Sequence, residues 1–258
     1  MPSGNSMRKS RIWNQKMNEK YRSYIKIDML PTLFCPGCGN GIIQNATIEA
    51  IDKLGIRKDT AFVSGIGCSS WIPCYFDMDV IHSIHGRALP VAQGLKLAAP
   101  GKNIIVFSGD GDCYAIGGNH FIHAIRRNID LTILVVNNHI YGMTGGQVSP
   151  TTLQGSKTKT SPYGAADEPI DGCRIAIAMG AGFVARWTVS QPIELAKSIT
   201  EAISHKGFSM IEIIAQCPEQ AGGKVYKEKN PSEMMLHFKD LVRQGTIKTG
   251  ILHKDEKK

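Results

Sequence analysis

Four short apolar segments, 61–66, 104–107, 131–136 and 210–215, limit the folds open to this chain more than any other feature. Each is rich in β-branched residues, and none alternates apolar with polar, the pattern of a strand covered on both faces. Between them lie stretches of helical spacing at 88–99, 116–127 and 192–205, the last opening on a proline suited to a first turn. Ahead of the first strand, Ile42, Ile43, Ala46, Ala50, Ile51 and Leu54 predict a helix that stops at Gly55, a residue that tolerates a left-handed helix end. The alternation predicts an α/β fold with a doubly wound, mostly parallel sheet. The rhythm breaks once, in residues 139–166, a stretch of 28 residues rich in Gly, Ser, Thr and Pro that is longer than most connections in compact domains and is read as a functional or disordered loop.

With 258 residues, 42% of them hydrophobic, the chain has enough apolar material for one large domain. Its net charge of +8 raises the question of nucleic acid, but the charge sits at the ends. Residues 1–30 carry seven Lys/Arg against two acids and residues 224–258 nine against five, so 31–223 is close to neutral. No stripe of interleaved aromatic and basic residues accompanies it, and a nucleic-acid partner is not expected. We therefore expect a core of 31–223 between basic extensions 1–30 and 224–258, which read as solvated ends or as a surface for an acidic partner. No apolar run approaches the roughly 18 residues of a membrane span, and no apolar signal core opens the chain, so a soluble, cytoplasmic protein is expected. In that reducing setting seven cysteines read as ligands, reactive thiols or small core residues rather than disulfides.

The strand at 104–107 runs into Gly109-Asp110-Gly111-Asp112, and 28 residues after Asp110 the next strand ends in Asn137-Asn138, one strand–helix–strand unit later. If the two strands are neighbours, Asp110 and Asn138 emerge on one carboxyl edge of the sheet, where open α/β sheets bind ligands. Both supply hard oxygen donors, and with a main-chain carbonyl just beyond Asn138 they suit a Mg²⁺ that keeps water or phosphate in its other positions. Gly109 and Gly111 allow a close approach by a diphosphate, and a helix starting near Ala115 would aim its positive end there. Taken singly, Asp-Gly is a common tight turn and Asn-Asn an ordinary strand exit; the spacing of the pair is what points to a site.

Cys35-Pro36-Gly37-Cys38-Gly39 precedes the first helix, where thiolates gain from backbone N–H groups and the helix dipole. The five residues suit a redox dithiol or half a zinc ribbon equally well. Cys68 and Cys74, with five residues between them, make a poor second zinc pair. Cys68 follows the first strand and Cys217 the last, which puts both on the edge that carries Asp110 and Asn138. Four converging thiolates suit a [4Fe–4S] cluster. Cys74, Cys113 and Cys173 are expected to be small buried thiols.

Gly-Asp-Gly-Asp followed by NNHIYGMTGGQ, together with CPGCG, IGCSS and a late cysteine before proline, resembles the β subunits of 2-oxoacid:ferredoxin oxidoreductases over roughly residues 30–220. The resemblance implies thiamine diphosphate held through Mg²⁺ by Asp110, Asn138 and the carbonyl of Ile140, with Gly111, Asp112, Gly142 and Met143 against the cofactor. Ile66, Gly67, Cys68, Ser69 and His85 match stretches that line it. Cys35, Cys38, Cys68 and Cys217 match the ligands of the [4Fe–4S] cluster, making 31–223 the cofactor-binding domain. The implied reaction is oxidative decarboxylation of a 2-oxoacid with coenzyme A, electrons leaving through the cluster to ferredoxin. The wording IGGNHFIHAIRRNIDL is most similar to subunits acting on 2-oxoglutarate; branched-chain 2-oxoacid and pyruvate enzymes share much of the frame. Thiamine activation needs a glutamate against the pyrimidine, and a core this size lacks the second domain that supplies it, so an obligate α subunit is expected, in an αβ or (αβ)₂ assembly with or without further small subunits. Two rival readings are a non-oxidative thiamine-dependent decarboxylase subunit, which has no use for four cysteines, and a non-catalytic zinc-binding module, which leaves Asp110 and Asn138 unexplained.

Overall fold

The computed structural model describes residues 18–255. Residues 1–17 of the expected N-terminal extension and 256–258 of the C-terminal one lie outside the described residues. Seven strands form one sheet in the order β2-β1-β3-β4-β6-β5-β7, where β1 is Thr60–Ser64, β2 Asp79–His82, β3 Asn103–Gly109, β4 Leu131–Asn137, β5 Phe183–Thr188, β6 Phe208–Ile214 and β7 Gly250–Lys254. All neighbours pair in parallel except β7, which runs antiparallel to β5 at the edge.

The four expected strands are β1, β3, β4 and β6, each within a few residues of its predicted bounds, and their uniform apolarity has a direct cause. Along β3, Ile105 and Phe107 enter a core on one face while Ile104 and Val106 enter a second core on the other. In β4, Leu134 and Val136 divide from Ile133 and Val135 in the same way. Helices α2 (Asn40–Leu54) and α7 (Pro192–Ser204) cover the first face, and α4 (Ala88–Ala98), α5 (Gly118–Arg126) and α6 (Gly172–Ala178) the second. Short helices α1 (Glu19–Tyr24) and α3 (Trp71–Cys74) and the C-terminal α8 (Pro231–Arg243) complete the set. α2 stops as expected, Gly55 adopting φ +67°.

Three differences from the sequence reading matter. Helical winding begins at Asp110 rather than near Ala115, through a π-turn at Asp112–Ile116 that precedes α5. The 224–255 stretch is not a solvated end: Met234 and Phe238 are buried, and β7 extends the sheet. Its apolar positions have helical spacing, which the surrounding charge conceals. Strand β5 also escaped, because Arg186 interrupts its apolar run.

That arginine is accommodated by its register partner. Arg186 lies opposite Glu212 of β6, donates from Nε to Glu212 Oε2 at 2.6 Å, and reaches Asp171 Oδ1 through Nη2 at 2.5 Å. Glu212 is 1% exposed, and its other oxygen accepts from Tyr114 Oη at 3.1 Å and Asn137 Nδ2 at 3.3 Å. Removing one member of a buried ion pair strands the other charge. Glu212→Ala should therefore cost about 3 kcal/mol of stability, read as a lower denaturant midpoint; a midpoint equal to wild type would show that the pair is not buried in solution.

Candidate functional site

After β1 the chain moves outward to β2, whereas after β3 it moves the opposite way to β4. The carboxyl ends of β1 and β3 thus border the point where strand order reverses, the place where open α/β sheets bind ligands. A cavity of about 300 Å³ lies there. Ile66, Gly67, Cys68 and Ser69 line it from the loop after β1, Asp110, Gly111 and Asp112 from the turn after β3, and Asn138, Ile140, Gly142 and Met143 from the segment after β4, with His85 on the rim. Every predicted cofactor and Mg²⁺ residue therefore borders one space. Gly109, Val136, Tyr141 and Thr144 line it too.

The side chains behind this wall explain its shape. Asp112 Oδ1 accepts the N–H groups of Gly86 at 2.7 Å and Ile66 at 3.2 Å, and Oδ2 accepts Ser108 Oγ at 2.5 Å. His85 Nδ1 stands 2.8 Å from Oδ1 at an angle that makes a close polar contact rather than an aligned hydrogen bond. The carboxylate of Asp112 is thus spent on holding the loops at 65–69 and 85–87. Gly65 is required beside it, since a Cβ there would strike the carboxylate. Gly111 is required for a second reason: a Cβ would enter the ring of Tyr141, whose hydroxyl donates to the Gly111 carbonyl at 3.3 Å.

Asp110 is buried, and Oδ2 accepts from Ser149 Oγ at 2.6 Å and Thr151 Oγ1 at 2.5 Å. Burial pushes its carboxyl above the ordinary carboxylate range, opposed by those two hydroxyls; a bound cation would pull it down further. Asn138 Oδ1 accepts from Ile140 N–H at 3.2 Å, closing a local turn. His139, between them, has φ +60°, unusual outside glycine and found where the surroundings hold the backbone in place. Ser149, Thr151 and Thr152 went unnoticed in the sequence because hydroxyls in a Gly- and Pro-rich stretch read as solvent-facing.

The four predicted cluster cysteines lie alongside. The 35–39 loop is tied to the exit of β6 by Gly39 N–H to the Gln216 carbonyl at 3.1 Å and Gln216 Nε2 to the Gly37 carbonyl at 2.5 Å. Gly37, at φ +75°, has no room for a Cβ against Pro231. Gly142 sits between the two other thiols, its Cβ position 3.5 Å from Cys68 Sγ and 3.6 Å from Cys217 Sγ. Burial, with the nearby thiols of Cys217, Cys68 and Cys35, pushes Cys38 up to about 12. Burial, with Cys217 and Cys35, pushes Cys68 up to about 11. Burial also raises Cys217, against backbone N–H groups of Ala221 and Gln220. All seven cysteines are free. Cys113 and Cys173 are buried as expected, whereas Cys74 is half-exposed. Among the described residues, no three His, Cys, Asp or Glu side chains are grouped to hold a single metal ion. No helix among them is long and apolar enough to cross a membrane.

The fold and site define a thiamine diphosphate-binding domain, and residues 65–213 match the thiamine pyrophosphate enzyme family, C-terminal TPP binding domain. The chain is 51% identical over 218 residues to the 2-oxoglutarate synthase subunit KorB of Methanocaldococcus jannaschii, covering 84% of this chain and 80% of that one. It is 44% identical over 211 residues to the 2-oxoacid:ferredoxin oxidoreductase subunit beta of Saccharolobus solfataricus, covering 77% and 69%. A solved structure, the 2-oxoglutarate:ferredoxin oxidoreductase from Magnetococcus marinus with 2-oxoglutarate, coenzyme A and succinyl-CoA bound, superposes with a TM-score of 0.81 at 33% identity, covering 95% and 87%. The chain belongs to the β subunits of the 2-oxoacid:ferredoxin oxidoreductases.

Thiol reactivity follows thiolate content. In metal-free protein at pH 8, iodoacetamide should therefore modify exposed Cys35 first, while Cys68 resists until the pH approaches 11 and Cys38 until it approaches 12. Peptide-level mass spectrometry of a pH series reads this order; equal labelling of all three at pH 8 would contradict it.

Proposed function

We propose that this chain is the catalytic β subunit of an enzyme that oxidises 2-oxoglutarate with coenzyme A to an acyl-CoA and CO₂, delivering two electrons one at a time through a [4Fe–4S] cluster to ferredoxin. The observation that carries this reading is the single space at the strand switch point, where Asp110, Asn138 and Ile140 share a wall with Cys68, and Cys217 lies just behind Gly142. The names of the similar proteins support the substrate.

The donor set fits both groups. Asp110, Asn138 and the Ile140 carbonyl are oxygen donors of the kind Mg²⁺ takes while keeping phosphate and water. Cys35, Cys38, Cys68 and Cys217 are four free thiols near one another. When bound, thiamine diphosphate supplies the nucleophile for decarboxylation and the cluster supplies one-electron steps. The protein's part is to orient and to enclose. Asp112 keeps the loops at 65–69 and 85–87 against the cavity, His139 and Asn138 present the Ile140 carbonyl, and Met143 and Ile66 give the site apolar walls.

The cavity is incomplete by itself. Its volume is at the small end for ligand sites, and among the described residues no glutamate lines it. Glu49 of α2, a conceivable internal acid, is bound to Lys20 at 2.8 Å and Tyr21 at 2.5 Å from α1, and Glu168 is exposed just beyond the long loop. An α subunit that supplies the activating glutamate and closes the space accounts for both facts. A non-oxidative decarboxylase leaves the four thiols without a use, and a zinc module leaves Asp110 and Asn138 without one.

Purified without air and with its partner subunit, the protein should hold about four iron per chain and reduce ferredoxin or a viologen with 2-oxoglutarate only when coenzyme A is present. Its kcat/KM for 2-oxoglutarate should exceed that for pyruvate and branched-chain 2-oxoacids; preference for either would reassign the substrate. Zinc in place of iron would end the cluster reading. The chain alone should show no turnover, and turnover without a partner would place the activating acid here. Asp110→Ala and Asn138→Ala should each weaken Mg²⁺-dependent thiamine diphosphate binding while iron content holds; calorimetry showing unchanged binding in both would remove the metal assignment.

A further inference from the structure

We propose that the 149–152 segment of the long loop is the outer shell of the metal site, its hydroxyls deciding which oxygen of Asp110 and which backbone carbonyl face the ion. The inference rests on the reading that Asp110, Asn138 and Ile140 hold Mg²⁺.

Two sets of contacts carry it. The first is on the carboxylate. Ser149 Oγ and Thr151 Oγ1 both donate to Asp110 Oδ2, at 2.6 and 2.5 Å. Two short hydroxyl bonds occupy that oxygen and leave Oδ1 for the cavity. Thr151 has one proton and a second neighbour, Asn137 Oδ1 at 2.9 Å. The carboxylate is the stronger acceptor, and Asn137 Oδ1 already receives His139 N–H at 3.1 Å, so the proton belongs to Asp110.

The second set holds the carbonyl. Ile140 follows His139, whose left-handed backbone needs support from outside. Its ring Nδ1 lies 2.6 Å from the Thr151 carbonyl, and its own carbonyl accepts Thr152 Oγ1 at 2.7 Å. Ser149 N–H donates to that same Thr152 hydroxyl at 2.8 Å. Ser149, Thr151 and Thr152 are 6%, 1% and 2% exposed, so water does not compete for these bonds. One four-residue stretch thus braces the carboxylate and the turn that presents the carbonyl, from 39 or more positions away in the case of Asp110. Partners of this type orient ligands, and losing one costs roughly 10- to 100-fold in metal affinity.

The test separates the hydroxyl from mere packing. Thr151→Val keeps the shape and removes the proton; Thr151→Ser keeps the proton and removes a methyl. The complex with its partner subunit is stripped with a chelator, and Mg²⁺ is titrated calorimetrically at saturating thiamine diphosphate. Thr151→Val should raise the Mg²⁺ Kd roughly 10- to 100-fold, Thr151→Ser should stay near wild type, and melting temperature and iron content should be unchanged in both. The reverse order, Ser weakened and Val not, would overturn the proposal and leave a packing role. Should Thr151→Val fail to fold, Ser149→Ala removes a proton from the same oxygen and must weaken Mg²⁺ in its place; unchanged affinity there overturns the proposal equally. Asp110→Ala runs alongside: if it too leaves Mg²⁺ binding intact, the site assignment itself is wrong, whereas loss in Asp110→Ala with none in Thr151→Val removes only the outer shell.

Discussion

The site depends on one buried carboxylate at its wall. Asp112 gathers the N–H groups of Ile66 and Gly86, the Ser108 hydroxyl and the edge of His85, and so ties the loop after β1 and the loop after β2 to the turn after β3. Parallel strands bring their carboxyl ends to one edge, but they do not fix the loops that leave it. A carboxylate 3% exposed, with donors on both oxygens, does so firmly, because each donor left unpaired in that setting would cost about 1–3 kcal/mol. The glycines around it follow: Gly65 and Gly86 let the backbone come close enough to donate, and any side chain there would collide with Asp112 itself or with Ile116.

Asp110 and Asp112 thus divide the work of a four-residue motif. One carboxylate receives the hydroxyls of Ser149 and Thr151, and the other fastens the loops after β1 and β2. The winding that starts at Asp110 makes the difference, since two residues of helix place their side chains on different sides. Cys68 and Cys217 join the same arrangement through Gly142, where the missing side chain leaves the thiols close to the wall of the cavity. In the proposed function, electrons leaving a cofactor held there would have a short path to a cluster on the four cysteines.

What the sequence disclosed, and what it did not, divides along the range of the interactions. Asp110 and Asn138 were legible because one strand–helix–strand unit has a characteristic length, and the buried strands because both faces are covered and both therefore read apolar. Asp112 was read as standing against the cofactor; it borders the cavity, and its hold on the two neighbouring loops depends on partners 26 and 46 positions away that no local pattern reveals. The hydroxyls at 149–152 look like any polar loop until the fold turns them onto Asp110. Strand β5 was hidden by Arg186, which is unremarkable only once Glu212 stands opposite it. Cys35 and Cys38 were ambiguous for the same reason: Gln216, which anchors their loop beside Cys217, lies 179 positions from Gly37.

We propose that one sheet edge holds the magnesium–diphosphate site and the cluster side by side. Diffraction from crystals of the anaerobic complex with its partner subunit, grown with Mg²⁺ and thiamine diphosphate and recorded across the iron absorption edge, tests it directly. An iron signal enclosed by Cys35, Cys38, Cys68 and Cys217, with cofactor density reaching Mg²⁺ at Asp110, Asn138 and the Ile140 carbonyl on the other side of Gly142, is the predicted result. Iron bound elsewhere, or cofactor density away from Asp110, would contradict it.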